Sequence, residues 1–217
     1  MAEIKMYHLK NKVALLVENN AEKLFKGLAS NTTDKPQNAF LDVFGKIIIT
    51  GDQVRISDNN IIMIIEKQFL ERLEKHLEKY LKLTKTKLTV MYDHNVYYDL
   101  NKNKILITKE TLNSNVSEKE FTEFRLKYNI PVQGIDYDQE MLLNIENENE
   151  CKYASFTKGC YLGQEIIARV KNLGKPAKKL VVKYEDECSE EEQKKMTSKY
   201  INSDNGKIFG FVFVKNK

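Results

Sequence analysis

The chain has 217 residues, 41% of them hydrophobic and 30% charged, with a formal net charge of +4 at pH 7. At this length a folded chain buries roughly 70% of the surface its unfolded form exposes, which suits one large domain or two small intimate ones. No stretch approaches the roughly 20 apolar residues of a membrane span, and the charge balance falls short of the strongly basic character of a dedicated nucleic-acid binder.

The opening, Met1-Ala2-Glu3-Ile4-Lys5-Met6, lacks both the apolar core of a secretory signal and the Arg-rich character of a transit peptide, so a cytoplasmic protein is expected. Cys151, Cys160 and Cys188 are too few and too irregularly spaced for a disulfide scaffold and are read as reduced. Arg55, Arg72, Arg125 and Arg169 are the arginines among 35 basic residues, so a single lysine says little about function.

Lys12 to Val17 is β-prone, and Ala21, Leu24, Phe25 and Leu28 then make one face of a short helix. Short β-rich runs follow at Ala39–Phe44, Lys46–Thr50, Gln53–Ser57 and Ile61–Ile65, separated by Gly45, Gly51-Asp52 and Asp58-Asn59-Asn60; they predict an antiparallel meander. Phe69, Leu70, Leu73, Leu77, Tyr80 and Leu81 recur at helical spacing, with His76 on the polar flank and read as solvated. Strands are expected at Lys87–Met91, Val96–Leu100 and Ile105–Thr108. Ser117-Glu118-Lys119-Glu120 is a capping-box signature for a helix through about Tyr128, which Pro131 ends. A turn-rich stretch from Val132 to Asp138 leads to the apolar Met141-Leu142-Leu143 and to an acidic, mobile segment from Glu146 to Glu150. The chain closes with a strand at Leu180–Tyr184, a charged insert at Glu185–Lys199 read as an exposed loop or helix, and a strand at Lys207–Val214. This order argues for an α+β fold.

Chemistry concentrates in Phe156-Thr157-Lys158-Gly159-Cys160-Tyr161-Leu162-Gly163-Gln164-Glu165, ahead of a helix expected to run to about Val170. Glycines leave a thiol uncrowded, and a helix N-terminus or a nearby ammonium favours the thiolate, the form that attacks electrophiles or binds metal. Cys160 is therefore a candidate reactive or iron-binding residue, with Lys158 as its activator; a buried cysteine acting as a small hydrophobe is the alternative.

The string Lys158 to Glu165 resembles the Lys-Gly-Cys-(Tyr/Phe)-x-Gly-Gln-Glu signature of the YgfZ family, folate-binding relatives of the glycine-cleavage T protein. Leu24-Phe25-Lys26-Gly27 with Asn31-Thr32-Thr33-Asp34, the run Phe40 to Lys46, and Arg125 followed by Ile130-Pro131 are similar to further family elements, with Asn129 where glycine is usual; Arg169 also fits. The resemblance covers roughly residues 7 to 184. It implies a T-protein-like folate-binding α+β fold of antiparallel sheets and packed helices. Residues 1–175 would form two interwoven subdomains around a folate-sized hole, and 176–217 a reduced β segment. Only residues 166–217 follow the signature, so the C-terminal β-barrel is expected to be truncated.

The resemblance further implies an accessory factor in iron–sulfur cluster assembly or repair, linked to tRNA thiomodification, working with A-type carrier proteins and iron–sulfur client enzymes. Tetrahydrofolate is the implied cofactor, and Cys160 would contact a transient cluster shared with a partner. Asn31, Asp34, Arg125, Tyr161, Gln164, Glu165 and Arg169 are the candidate folate-site residues. T proteins place an acidic pair soon after the Gly turn, where this chain has Ile48-Ile49-Thr50, which counts against a folate-dependent aminomethyl transferase.

Other readings of these residues stay open. Asn31 and Asp34 also suit an ordinary loop, and Arg125 and Arg169 suit ion pairs as well as a ligand carboxylate. Lys171, Lys175, Lys178, Lys179 and Lys183 are read as a solvated face, or as a hold for a polyglutamate tail, an acidic partner or RNA; an RNA- or protein-binding module is a further alternative. Cys151 and Cys188 match no zinc or ferredoxin spacing, and His8 and His94 are read as structural.

Overall fold

A computed structural model describes residues 4–146, 151–202 and 205–216. In chain order these form β1 (Met6–His8), β2 (Lys12–Glu18), α1 (Ala21–Leu28), β3 (Gln37–Leu41), β4 (Ile47–Arg55), β5 (Asn60–Glu66) and α2 (Leu70–Thr84). There follow β6 (Lys87–Val90), β7 (Asn95–Asp99), β8 (Lys104–Thr108), α3 (Glu118–Lys127), α4 (Gln164–Asn172), β9 (Lys178–Tyr184), α5 (Glu190–Lys195), β10 (Thr197–Ile201) and β11 (Ile208–Lys215). They build a five-stranded antiparallel sheet, β3-β4-β5-β2-β6, and two three-stranded ones, β1-β7-β8 and β10-β11-β9.

Side chains alternate across β2, so Val13, Leu15 and Val17 meet α1 and α2 on one face, while Ala14 meets the β1-β7-β8 sheet and Phe121 of α3 on the other. Each fully buried large apolar side chain contributes roughly 1.5–3 kcal/mol. A third core joins the β3–β4 hairpin to α4 and the C-terminal sheet through Leu41, Ile47, Tyr161, Ile167, Leu180 and Phe211.

Several boundaries differ from the sequence reading. Residues 47–55 form one strand, not two: β4 pairs with β3 as far as Asp52 and with β5 from Asp52 onward. Gly51 marks this change of partner, because a Cβ there would sit 2.6 Å from the Ile64 carbonyl oxygen. The insert at 185–199 contains α5, capped by Ser189 and Glu192, and most of β10. That strand was hidden by its polar sequence and by a register shift between Thr197 and Tyr200, with Ser198 at φ 50°.

His76 is not solvated: it packs edge-on to Phe40, and its Nε2 is buried without a hydrogen-bond partner. The α3 capping box forms as its residues specify, Glu120 N donating to Ser117 Oγ at 3.3 Å and Ser117 N to Glu120 Oε2 at 2.8 Å. Just beyond that helix Asn129 has φ 50°, a left-handed conformation that asparagine tolerates better than most residues.

Candidate functional site

The signature straps the end of α1. Lys158 Nζ donates to the carbonyls of Phe25 (3.2 Å), Ala29 (2.5 Å) and Asn31 (3.0 Å), Leu162 N donates to Gly27 O at 3.2 Å, and Ser155 N to Ser30 O at 2.9 Å. The lysine thus closes the carbonyl-rich end of a helix, where a cation is favoured. Burial pushes its pKa down to about 8. Its bonds run to carbonyls at and just beyond the end of α1 and not to Cys160.

Cys160 is exposed and free. The next residue turns the other way: Tyr161 packs into the third core, its hydroxyl buried without a partner and its pKa raised to about 12 by burial. Gly163 caps α4 with φ 83°, and a Cβ there would overlap the Asp42 carbonyl oxygen of the β3–β4 turn. Three residues separate Cys160 from Gln164, the first helical residue, so its thiol lies outside the first turn of α4, where the helix dipole acts. Gln164 and Glu165 open α4, and Glu165 pairs with Arg169 on the surface at 3.1 Å.

Asn31 is buried and acts as a clasp: its Nδ2 donates to Gln37 O (3.1 Å) and Lys152 O (2.8 Å), and its Oδ1 accepts from Thr32 N (2.9 Å). Asp34 is exposed, its carboxyl held below the usual range chiefly by a hydrogen bond from Thr32. Of the lysines just after the signature, Lys171 lies over the Phe156 ring at 3.2 Å and Lys178 pairs with Glu140 at 2.7 Å.

The fold holds a cavity of about 1220 Å³ between the five-stranded sheet, the β1-β7-β8 sheet, α3, the loop at 128–137, and residues Ile145, Glu146, Lys152 and Tyr153. Of the candidate site residues, Arg125 alone lines it; Asn31, Asp34, Lys158, Cys160, Tyr161, Gln164, Glu165 and Arg169 lie elsewhere. Arg125 spans the cavity wall in a buried ion pair, with side-chain exposures of 5% for Arg125 and 0% for Asp136 and a separation of 2.8 Å. Its other bonds reach Ile130 O at 3.2 Å and Ser198 Oγ at 2.8 Å. Asp136 also accepts from Val132 N (2.8 Å), Thr197 Oγ1 (2.8 Å) and Ser198 Oγ (2.6 Å). This network ties α3, the following loop and β10 together.

The sheet wall of the cavity is charged. Lys12 Nζ lies 3.4 Å from Asp52 Oδ2 and 3.3 Å from Glu66 Oε1, and Gln37 Nε2 reaches Asp52 Oδ1 at 3.3 Å. Burial opposes the charge on Lys12, but the two carboxylates together outweigh it, so its ammonium titrates above the ordinary lysine value. Thr50 and Asp52, two apart on β4, both border the cavity. The Ile48-Ile49-Thr50 segment carries no carboxylate, yet Asp52 and Glu66 bring two to the same wall.

An aromatic wall faces them: Tyr7 stacks on Phe121 with centroids 4.2 Å apart, and Tyr98 adjoins Phe121 at 5.5 Å. Gln133 locks the loop to β4, accepting from Thr50 N at 2.8 Å and donating to Ile48 O at 3.1 Å. Glu146 also lines the cavity. It is buried, with only 5% exposed, which corrects the reading of its segment as mobile at this residue; the remainder, 147–150, lies outside the described residues.

Lys12, Asp52, Glu66 and Glu146 were passed over in the sequence. Asp52 follows a glycine and reads as a turn residue, whereas alternation with Thr50 along the single strand β4 puts both on one face. Glu146 lies in an acidic run that reads as solvent-facing. Among the described residues no group of three or more His, Cys, Asp or Glu is arranged to hold a metal ion, and no helix is long and apolar enough to cross a membrane.

No family model and no curated protein matches this chain. Among solved structures it is similar to the crystal structure of glycine cleavage system aminomethyltransferase T from Bartonella henselae. The TM-score is 0.71 at 9% sequence identity, over 99% of this chain and 79% of that one. The likeness shows a T-protein-like α+β fold.

Proposed function

We propose that this protein is a YgfZ-type accessory factor that binds a tetrahydrofolate in its central cavity and assists iron–sulfur cluster assembly or repair through the exposed Cys160 thiol. The observation that carries the folate half is the cavity itself, large enough for a molecule of that size, with an aromatic wall facing acceptor-rich carboxylates in a T-protein-like fold. The residues suit the group. The pyrimidine ring of a reduced pterin is planar and rich in N–H donors, matching Tyr7, Tyr98, Asp52 and Glu66, while the glutamate tail of the folate matches Lys10, Lys104 and Lys152 on the same lining.

The iron–sulfur half rests on the signature and on the exposure of Cys160. Its partners are A-type carriers and iron–sulfur client enzymes, with any effect on tRNA thiomodification following from the state of a client's cluster. A single thiol serves such a role by sharing a cluster with ligands from the carrier. Lys158 supports the thiol by fixing the strap that presents it, and Gln164, Glu165 and Arg169 flank it on α4.

Two measurements test the proposal. Calorimetric titration with 5-formyltetrahydrofolate should show saturable binding that Asp52→Asn weakens. Anaerobic incubation with a cluster-loaded A-type carrier, read by activation of an apo four-iron enzyme, should give transfer or protection with wild type and not with Cys160→Ser. Equal behaviour of the two proteins overturns the thiol role, and absence of binding overturns the folate role. Because Asp52 and Glu66 are carboxylates within the cavity, methylene transfer to tetrahydrofolate belongs in the same assay set; turnover would favour the aminomethyltransferase reading.

A further inference from the structure

Glu146 borders the cavity beside Ile145, Lys152 and Tyr153, and among the described residues backbone N–H groups hold its carboxyl. Its Oε1 accepts from Tyr153 N at 2.6 Å and its Oε2 from Lys152 N at 2.8 Å. Three consecutive backbone N–H groups, those of Lys152, Tyr153 and Ala154, hold the carboxyl, and a carboxylate offers about four acceptor sites, so acceptor capacity remains. Lys152 supplies the nearby positive charge, and Tyr153 and Tyr137 are phenols that burial keeps neutral. The half-buried Cys151 thiol is raised by burial and then by Glu146, with Lys171 of α4 opposing. Tyr161 brings an unpartnered hydroxyl from the signature strap. Burial outweighs the N–H groups and Lys152 and pushes the Glu146 carboxyl up to about 7.

We propose that Glu146 is the proton-exchanging recognition carboxyl of the central cavity, ionising as the N–H donor edge of a planar heterocycle docks against it. This rests on the folate reading of the cavity and extends it to a residue outside the signature. The step is a proton transfer only. The carboxylic acid gives its proton to solvent, the resulting carboxylate accepts a hydrogen bond from a ligand N–H, and no bond to carbon changes. A donor prefers the ionised form, so binding below neutral pH must expel a proton, and affinity falls by up to about tenfold per pH unit there. Above the carboxyl's own titration no proton is released and affinity is flat.

The test uses the full chain and 5-formyltetrahydrofolate, titrated calorimetrically at pH 6, 7 and 8 in buffers of differing ionisation enthalpy. Wild type should release close to one proton at the lowest pH and almost none at the highest, while Glu146→Gln should bind with no release and no pH dependence. Equal release from both proteins overturns the proposal. A reading independent of that variant comes from carbon-13 titration of glutamate carboxyls in the wild type. One carboxyl should titrate near neutrality and move down by at least one unit when the probe is bound; a full set of ordinary midpoints overturns the proposal whatever folate does. If 5-formyltetrahydrofolate does not bind, the folate reading fails, and 2-amino-4-hydroxypyrimidine, which carries the donor edge alone, replaces it. Proton-linked binding of that fragment sustains the role of Glu146, and its failure to bind removes it.

Discussion

Replacing Arg125 by methionine separates the two readings that its sequence left open, ligand contact and ion pairing. Asp136 has no solvent exposure and sits 2.8 Å from the guanidinium, so the substitution strands a buried carboxylate whose remaining donors are Val132 N, Thr197 Oγ1 and Ser198 Oγ. Uncompensated charges of this kind cost about 3–5 kcal/mol, a large share of the roughly 5–15 kcal/mol that holds a domain folded. Asp136→Leu should cost a similar amount by stranding the arginine. The double variant should be less destabilised than the two losses added, because no lone charge is left, with a coupling on the order of 1–3 kcal/mol. Urea denaturation of the four proteins gives these numbers directly from midpoints at constant slope. A loss below about 1 kcal/mol for Arg125→Met, together with strongly weakened 5-formyltetrahydrofolate binding by the folded variant, would refute the structural role and return the arginine to the ligand.

Lys158→Met should lower stability by about 1–3 kcal/mol, the worth of charge-assisted bonds to the α1 carbonyls, and leave the Cys160 thiol's rate with Ellman's reagent within about twofold; a large rate drop at unchanged stability would show that the lysine does activate the thiol. Gly163→Ala forces an L-residue into positive φ against the Asp42 carbonyl, so a loss of at least about 1–3 kcal/mol is expected in the same urea assay. A neutral result there would mean that the β3–β4 turn yields easily. His76 should make the fold acid-sensitive. Burial, then Lys79, lowers its pKa below the ordinary 6.5, so the unfolded chain takes up the proton first and stability is lost as pH falls through that value. His76→Leu should therefore gain more at pH 5 than at pH 8, and a pH-independent difference would contradict this.

The long amphipathic helix and the capped α3 were legible because their signals are local: apolar spacing in one case, a Ser-x-x-Glu pair in the other. The signature was legible as a motif, and the structure gives its parts separate duties. Lys158 closes α1, Tyr161 enters a core, Gly163 admits the Asp42 carbonyl, and Cys160 faces solvent. The Gly51 punctuation misled, since glycine serves close strand approach as well as turns. His76 misled because a helix's flank is polar or buried according to what packs beside it, here Phe40 and Tyr80.

Periodicity, caps and glycine placement in the sequence by themselves determined most of the secondary structure and pointed to an α+β chain with one chemically distinctive strap. Only the tertiary structure decided where the cavity lies and which charges face it. Lys12, Asp52, Glu66, Arg125 and Glu146 come from five separate segments, and their spacing in the chain carries no trace of their meeting. Local hydrogen bonding and side-chain alternation act over a few residues, whereas burial and charge pairing depend on segments brought together by packing. It is those long-range contacts that make Arg125 a brace and Glu146 a carboxyl poised near neutrality.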